Sequence, residues 1–154
     1  MRYRYVPLPT GPVRALQNGG LDAYGQRPER QISDGTVGCR HCLRNIPEGE
    51  ACLLAAFRPF DSMQPYAETG PLYICAAQCS PAVERAVLPP LLDSSAYILR
   101  GYDAEERIIY GTGGVTGVDG VDARLEVLFA RTDVAFVDVR SAANNCFQCR
   151  VRRA

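Results

Sequence analysis

The class of fold can be read from residues 95–139, which have the sequence SAYILRGYDAEERIIYGTGGVTGVDGVDARLEVLFARTDVAFVDV. This segment opens with an alternating apolar and polar pattern at Ser95–Tyr102, followed by a polar turn at residues 103–106. A second apolar run covers Arg107–Gly111. Two strand patterns joined by a short polar turn predict a β-hairpin, and therefore an antiparallel sheet.

The rest of the segment predicts a crossover, a helix and another strand. Gly111–Gly117 is rich in glycine and is interpreted as a flexible crossover loop. Residues 120–131 predict an amphipathic helix, because their apolar side chains recur at helical spacing. A strand pattern follows at Val134–Val139. The helix stripe consists of Val121, Leu125, Leu128 and Phe129.

Strand patterns also dominate outside this segment. They cover residues 2–6, 29–33, 37–43, 51–57, 72–76 and 147–152. Helix signals are fewer. One short helix is expected from Pro12 up to Gly19, since proline favours a helix start and glycine a helix end. Another is expected between Ser80 and Pro89, because serine can cap the helix and proline stops it.

These patterns predict an α+β fold with a mainly antiparallel sheet, a few short helices and one longer helix near residues 120–131, in a single domain over residues 1–154. The chain has 17 basic and 17 acidic residues, which argues against nucleic acid or an anionic membrane as a partner. The N-terminus lacks the apolar stretch of a signal peptide, and the longest apolar run, Ala51–Phe57, is too short to cross a bilayer. We therefore expect a cytoplasmic protein whose 7 cysteines stay reduced.

Four cysteines form two C-x-x-C pairs, Cys39 with Cys42 and Cys146 with Cys149. Two such pairs can supply four thiolates to a tetrahedral zinc ion. However, 103 residues separate Cys42 from Cys146, far more than zinc ribbons place between their pairs. A C-x-x-C pair in a regular strand also points its sulfurs to opposite faces, so zinc binding would require tight knuckles. We therefore favour free thiols without a cofactor, with zinc on these four cysteines as the alternative.

The cysteines have other possible uses. Cys75 and Cys79 form a C-x-x-x-C pair that could contribute to a mixed metal site. A redox-active C-x-x-C needs a helix after its first cysteine, and Pro47 leaves no room for one here. Cys39 and His41, the single histidine, would share a strand face, which makes a thiol-dependent enzyme a further alternative.

Five segments form a recognisable pattern along the chain: Gly38–Leu43, Cys52–Leu54, Pro65–Pro71, Leu99–Asp103 and Asn145–Ala154. In order and spacing they resemble a bacterial family catalogued as domain of unknown function 1203. The resemblance implies a small stand-alone protein and supplies no activity. It also implies that Cys39, Arg40 and Cys146 belong to the family pattern, whereas Cys42 and Cys149 depart from it.

The function we expect first is a binding or structural module with an arginine-lined polar pocket near Cys39 and Cys146. Guanidinium groups favour anions, so the expected ligand is a small anion. The zinc-stabilised domain and the thiol-dependent enzyme are the alternatives. The residues expected to line the pocket are Arg40, Arg58, Tyr66, Arg100 and Asn144.

Overall fold

The computed structural model describes residues 2–154 and confirms the α+β class. Within these residues, eight strands form two antiparallel sheets and two helices accompany them. None of the described helices has the length and apolar character needed to cross a membrane. The elements are β1 (Tyr3–Val6), α1 (Thr10–Gln17), β2 (Glu29–Ile32), β3 (Ala51–Phe57), β4 (Gly70–Cys75), β5 (Ala96–Tyr102), β6 (Gly114–Gly117), a 3₁₀ turn (Val118–Gly120), α2 (Val121–Phe129), β7 (Phe136–Ser141) and β8 (Phe147–Arg153).

The larger sheet has the order β1-β8-β7-β5-β6, so the first and last strands of the chain pair with each other. Residues alternate between its two faces, as the strand period of two requires. One face carries Val137 and Val151, which oppose each other and pack with Leu125 of α2 in the first hydrophobic core. The other face carries the opposed pair Asp138 and Arg150, which form a buried salt bridge.

The smaller sheet has the order β2-β3-β4 and supports the second hydrophobic core. Its inner side chains, such as Ile74 of β4, pack with Val13 and Leu16 of α1. Cys39, which lies between β2 and β3 in sequence, is fully buried in this core. The second core therefore holds the first C-x-x-C segment, while the first core holds Cys149.

The predicted strand at residues 37–43 is wrong. The segment is a tight turn: the Leu43 amide donates to the Cys39 carbonyl at 2.9 Å, and the Cys39 amide donates to the Arg44 carbonyl at 2.9 Å. Gly38 and Asn45 form an isolated bridge across the base of the turn. Leu43 has φ 55, in the left-handed region that an extended strand never uses.

The predicted helix between Ser80 and Pro89 is also absent from the described structure. The segment is irregular because its backbone groups bond to other parts of the chain. The Ala82 amide donates to the His41 carbonyl at 2.9 Å, and the Arg85 carbonyl accepts from the Tyr5 amide at 3.0 Å. In a helix capped by Ser80 neither group would have a backbone partner within the helix, because Ala82 lies in the first turn and Pro89, four residues after Arg85, has no amide hydrogen. These bonds instead hold the irregular segment against the tight turn at residues 37–43 and against β1.

The predicted hairpin partner of β5 is corrected as well. β5 pairs with β6, at residues 114–117, where the glycine pattern predicted a loop. The segment Arg107–Gly111 contributes only an isolated bridge between Tyr102 and Ile108. The buried Thr112 side chain occupies the surface of β5 over Gly101, where an added Cβ would meet the Thr112 side chain at 3.0 Å. The Gly101 amide donates to the Thr112 hydroxyl at 2.9 Å, so this side chain takes the place of a backbone partner for β5 just before β6 begins.

Candidate metal centre

The first C-x-x-C segment is a knuckle, meaning the turn of residues 38–46 that is closed by backbone hydrogen bonds. Besides the two bonds of the turn, the Ile46 amide donates to the Val37 carbonyl at 2.8 Å. The tight backbone brings the sulfurs of Cys39 and Cys42 to the same side. This is the local geometry that chelation by a C-x-x-C pair requires.

The second pair of sulfurs comes from Cys75 and Cys79, at the end of β4 and in the bend that follows. The Cys75 amide donates to the Cys39 sulfur at 3.3 Å, which joins the end of β4 to the knuckle. Side chains of α1 hold the bend in place. Gln17 donates to the Cys75 carbonyl at 2.9 Å, and Arg14 donates to the Cys79 carbonyl at 2.6 Å.

The four sulfur atoms form a compact cluster, in which all lie within 4.8 Å of one another. Cys39 Sγ is 3.9 Å from Cys79 Sγ, and Cys42 Sγ is 4.0 Å from Cys75 Sγ. A tetrahedron of thiolates around zinc, with bonds of about 2.3 Å, has edges of about 3.8 Å. A disulfide would need about 2.05 Å between sulfurs. All four cysteines are free, and their spacing fits a bound metal ion.

The thiols influence one another's ionisation. Hydrogen bonds from Cys42 and Cys75 hold the pKa of Cys39 well below its usual range. Those same contacts raise the pKa of Cys42 and of Cys75. Burial, followed by the charge of Cys39, raises the pKa of Cys79 to about 11. The cluster therefore favours one thiolate, and a dication is needed to deprotonate all four thiols together.

His41 lies beside the cluster as a fully buried side chain. Its Nδ1 is 3.1 Å from Cys79 Sγ, and its Nε2 is 2.9 Å from Oγ1 of Thr10. Burial lowers the pKa of His41, which favours the neutral imidazole. When the Thr10 hydroxyl donates to Nε2, Nδ1 carries the proton and donates to the Cys79 sulfur. In that arrangement His41 would orient the Cys79 thiolate toward a metal ion held by the cluster.

Arg40 is a buried cation next to the same cysteines, with 6% of its surface exposed. Its guanidinium donates to the carbonyls of Phe147 and Gly38, and it forms no salt bridge within residues 2–154. Burial lowers the pKa of Arg40, whereas the thiols of Cys146, Cys149 and Cys39 act in the opposite direction. A metal with four thiolates carries a net negative charge, so Arg40 supplies a compensating positive charge beside it.

The comparison with protein families agrees with the resemblance noted in the sequence. The family model described as "Protein of unknown function (DUF1203)" matches residues 36–153. The chain belongs to this family. No curated protein and no solved structure matches the chain. All four clustered cysteines, together with Arg40 and His41, lie in the matched DUF1203 region, whereas Thr10 precedes it.

The second C-x-x-C pair lies outside the four-sulfur cluster. Cys149 is buried in the first core, facing α2 together with Val151. The Cys146 thiol is half-buried in the turn before β8 and donates to the Asn144 carbonyl at 3.7 Å. Both nevertheless act to raise the pKa of Arg40, whose guanidinium donates to the carbonyl of Phe147 at 2.8 Å.

The arginines and the tyrosine expected to line an anion pocket have partners of their own. Arg100 pairs with Glu68 at 2.8 Å. The Arg58 guanidinium donates to the Phe60 carbonyl and to the Met63 sulfur in its own loop. Tyr66 lies 2.9 Å, oxygen to oxygen, from the exposed Tyr110. The arginine-lined pocket around these residues stays a prediction.

The sequence alternative for zinc combined Cys39 and Cys42 with Cys146 and Cys149, and it gave less weight to Cys75 and Cys79, which the structure places beside the first pair. The available signal was their C-x-x-x-C spacing at the end of a strand pattern, followed by Ser80-Pro81. This pair is also much closer to Cys42 along the chain than Cys146 is.

Proposed function

We propose that this DUF1203 protein is a zinc-stabilised domain, with the metal held by Cys39, Cys42, Cys75 and Cys79. The observation that supports it is the compact group of four sulfurs, all within 4.8 Å of one another. Four thiolates in a tetrahedral arrangement are typical of structural zinc sites, since zinc accepts four sulfur ligands without a redox change.

The role of the metal in this proposal is to tie together parts of the chain that have little regular structure. One side of the site is the knuckle, and the other is the end of β4 with the bend at residues 76–79. Residues 80–90, which follow, contain no helix or strand and depend on their contacts with the knuckle and β1. Zinc would stabilise this region by contributing its binding free energy to folding.

The alternative of a thiol-dependent enzyme was predicted for Cys39 with His41. The pKa of Cys39 is lowered, but its side chain is fully buried and out of a substrate's reach, and the His41 ring contacts the Cys79 sulfur instead. A nucleophilic cysteine needs a thiol with a lowered pKa. The pKa of Cys79 is instead raised, to about 11. Three further cysteines around it also match a metal site better than a catalytic dyad, so we favour zinc.

Elemental analysis of protein purified without chelator tests the proposal. We expect one zinc per chain in the native protein and in Cys146→Ser, and loss of zinc in Cys75→Ser and Cys79→Ser. Cys146→Ser is the matched control, since Cys146 is a half-buried cysteine outside the cluster. Retention of zinc by both cluster variants, or its loss in Cys146→Ser, would refute this ligand set. Iron in place of zinc would refute the choice of metal.

A further inference from the structure

A cleft of about 650 Å³ opens beside the candidate metal centre. One wall is formed by Cys42, Leu43 and Arg44 of the knuckle, and the opposite wall by residues 79–83, 85 and 87–90. A cleft of this volume is within the range of small-molecule sites, roughly 300–1,000 Å³. It is separate from the residues that sequence reasoning assigned to an anion pocket.

The charges that line this cleft have a single sign. Its charged lining residues are Arg44 and Arg85, and no aspartate or glutamate lines it. Neither arginine forms a salt bridge or a side-chain hydrogen bond among the described residues, although the backbone of each is well anchored. By contrast, Arg4 nearby is neutralised by Glu84 at 2.8 Å. Two unpaired guanidinium groups at one cleft favour an anionic ligand.

The walls of the cleft are mainly apolar. Val83 and Val87 are 70% and 61% exposed. Their segment is nevertheless fixed to the fold by the backbone bonds of Ala82 to His41 and of Arg85 to Tyr5. Leu88 is partly buried and packs on the first core beneath them. Large apolar side chains left open next to a cleft are typical of a binding site, because a ligand can cover them. The lining therefore fits a ligand that has an apolar body as well as a negative charge.

We propose that this cleft binds a small organic anion. The acidic group of the ligand pairs with Arg44 and Arg85, and its apolar body covers Val83, Val87 and Leu88. The site adjoins the metal centre through Cys42 and Cys79, yet the charge and shape that recognise the ligand come from other residues. Binding is therefore expected whether or not the metal is zinc.

Anilinonaphthalene sulfonate is a suitable probe, because it combines an apolar aromatic body with one fixed negative charge and fluoresces when bound. We expect saturable binding to the native protein and a Kd weaker by roughly tenfold or more in R44Q/R85Q, since charge-assisted hydrogen bonds are lost. The control is R30Q, which removes an exposed arginine from β2, on the smaller sheet. It is expected to leave the Kd unchanged.

The neutral analogue N-phenylnaphthylamine separates charge recognition from simple apolar binding. Its Kd is expected to be the same in the native protein and in R44Q/R85Q. Methyl NMR signals of Val83 and Val87 should shift on titration with the sulfonate and saturate at the Kd found by fluorescence. Circular dichroism and metal content, measured on the same samples, show that the variants fold and distinguish failure of this proposal from failure of the zinc proposal.

Three results would overturn the proposal: no binding of the sulfonate to the native protein, an unchanged Kd in R44Q/R85Q, or binding that leaves both valine signals unmoved. If protein purified without chelator contains no metal and still binds the sulfonate through Arg44 and Arg85, the anion site is supported and the zinc proposal is refuted.

Discussion

Loading the metal-free, reduced protein with zinc at pH 7 is expected to release about three protons per chain. Hydrogen bonds from Cys42 and Cys75 lower the pKa of Cys39, so that this sulfur is already a thiolate before the metal arrives. The pKa values of Cys42, Cys75 and Cys79 are raised, so these three thiols are protonated. For Cys79, with a pKa of about 11, only about one molecule in ten thousand is ionised at pH 7.

The same reasoning sets the pH dependence of zinc affinity. Each proton displaced by the metal makes binding tenfold tighter per unit rise in pH, as long as the thiol pKa lies above the working pH. Three protons correspond to roughly a thousandfold per pH unit, or about 4 kcal/mol. The affinity for zinc therefore rises between about pH 6 and 8. It is lost as the pH falls, because protons then compete with zinc for the three thiols whose pKa values are raised.

Isothermal titration calorimetry in buffers of different ionisation enthalpy counts the released protons directly. Cys146→Ser is the matched control and should also release three, because its thiol lies outside the cluster. A count of four would refute the thiolate at Cys39, since all four thiols would then start protonated. A count below two would refute coordination by the whole set.

Three further predictions concern residues around the site and in the core. Arg40→Gln is expected to weaken zinc binding by about 10–100-fold in a chelator competition assay, because it removes the positive charge near the Cys39 thiolate. Arg30→Gln is the control and should leave the zinc affinity unchanged. Equal zinc affinities of the native protein and Arg40→Gln would contradict this role. Asp138→Asn is expected to lower the free energy of unfolding by about 3–5 kcal/mol in urea denaturation, because it leaves the Arg150 charge buried without its partner. The double change of Asp138→Leu with Arg150→Met should recover most of that loss, and a double variant as unstable as Asp138→Asn would show that the charge is not the cause. Leu125→Ala should lower the free energy of unfolding by about 2–5 kcal/mol in the same assay, since the Leu125 side chain of α2 is fully buried in the first core. A decrease below about 1 kcal/mol would contradict its place in that core.

Local patterns in the sequence were sufficient for most of the regular elements. The apolar run at residues 51–57 coincides with β3, and the helical stripe predicted at residues 120–131 contains α2. The first is an uninterrupted apolar run of strand length and the second repeats with helical period, so in both cases tertiary burial agrees with the local pattern. The irregular segment at residues 80–88 shows the opposite case. Its helix signals depended only on a cap and a proline stop, and its backbone bonds run to distant groups in the Cys39–Cys42 turn and β1.

The faces of β8 were predicted only in part. Strict alternation along residues 147–152 would place Phe147, Cys149 and Val151 on one face. Cys149 and Val151 indeed share the first core, but Phe147 packs in the second. A register shift between Val139 and Arg140 in β7 accounts for the difference, because such an irregularity moves side chains to the other face beyond it.

The sequence alone determined the α+β class and the family, because these depend on periodicity and on the order of segments along the chain, and it offered the Cys39–Cys42 pair as half of a possible metal site. The tertiary structure decided which other two cysteines lie next to Cys39 and Cys42. Pairing of β3 with β4 brings Cys75 to the end of the smaller sheet, beside the knuckle, and its amide binds the Cys39 sulfur. Pairing of β7 with β8 turns Cys149 toward α2 instead. A C-x-x-C or C-x-x-x-C spacing describes how two sulfurs can chelate, but only the arrangement of strands determines which sulfurs lie within one metal's reach.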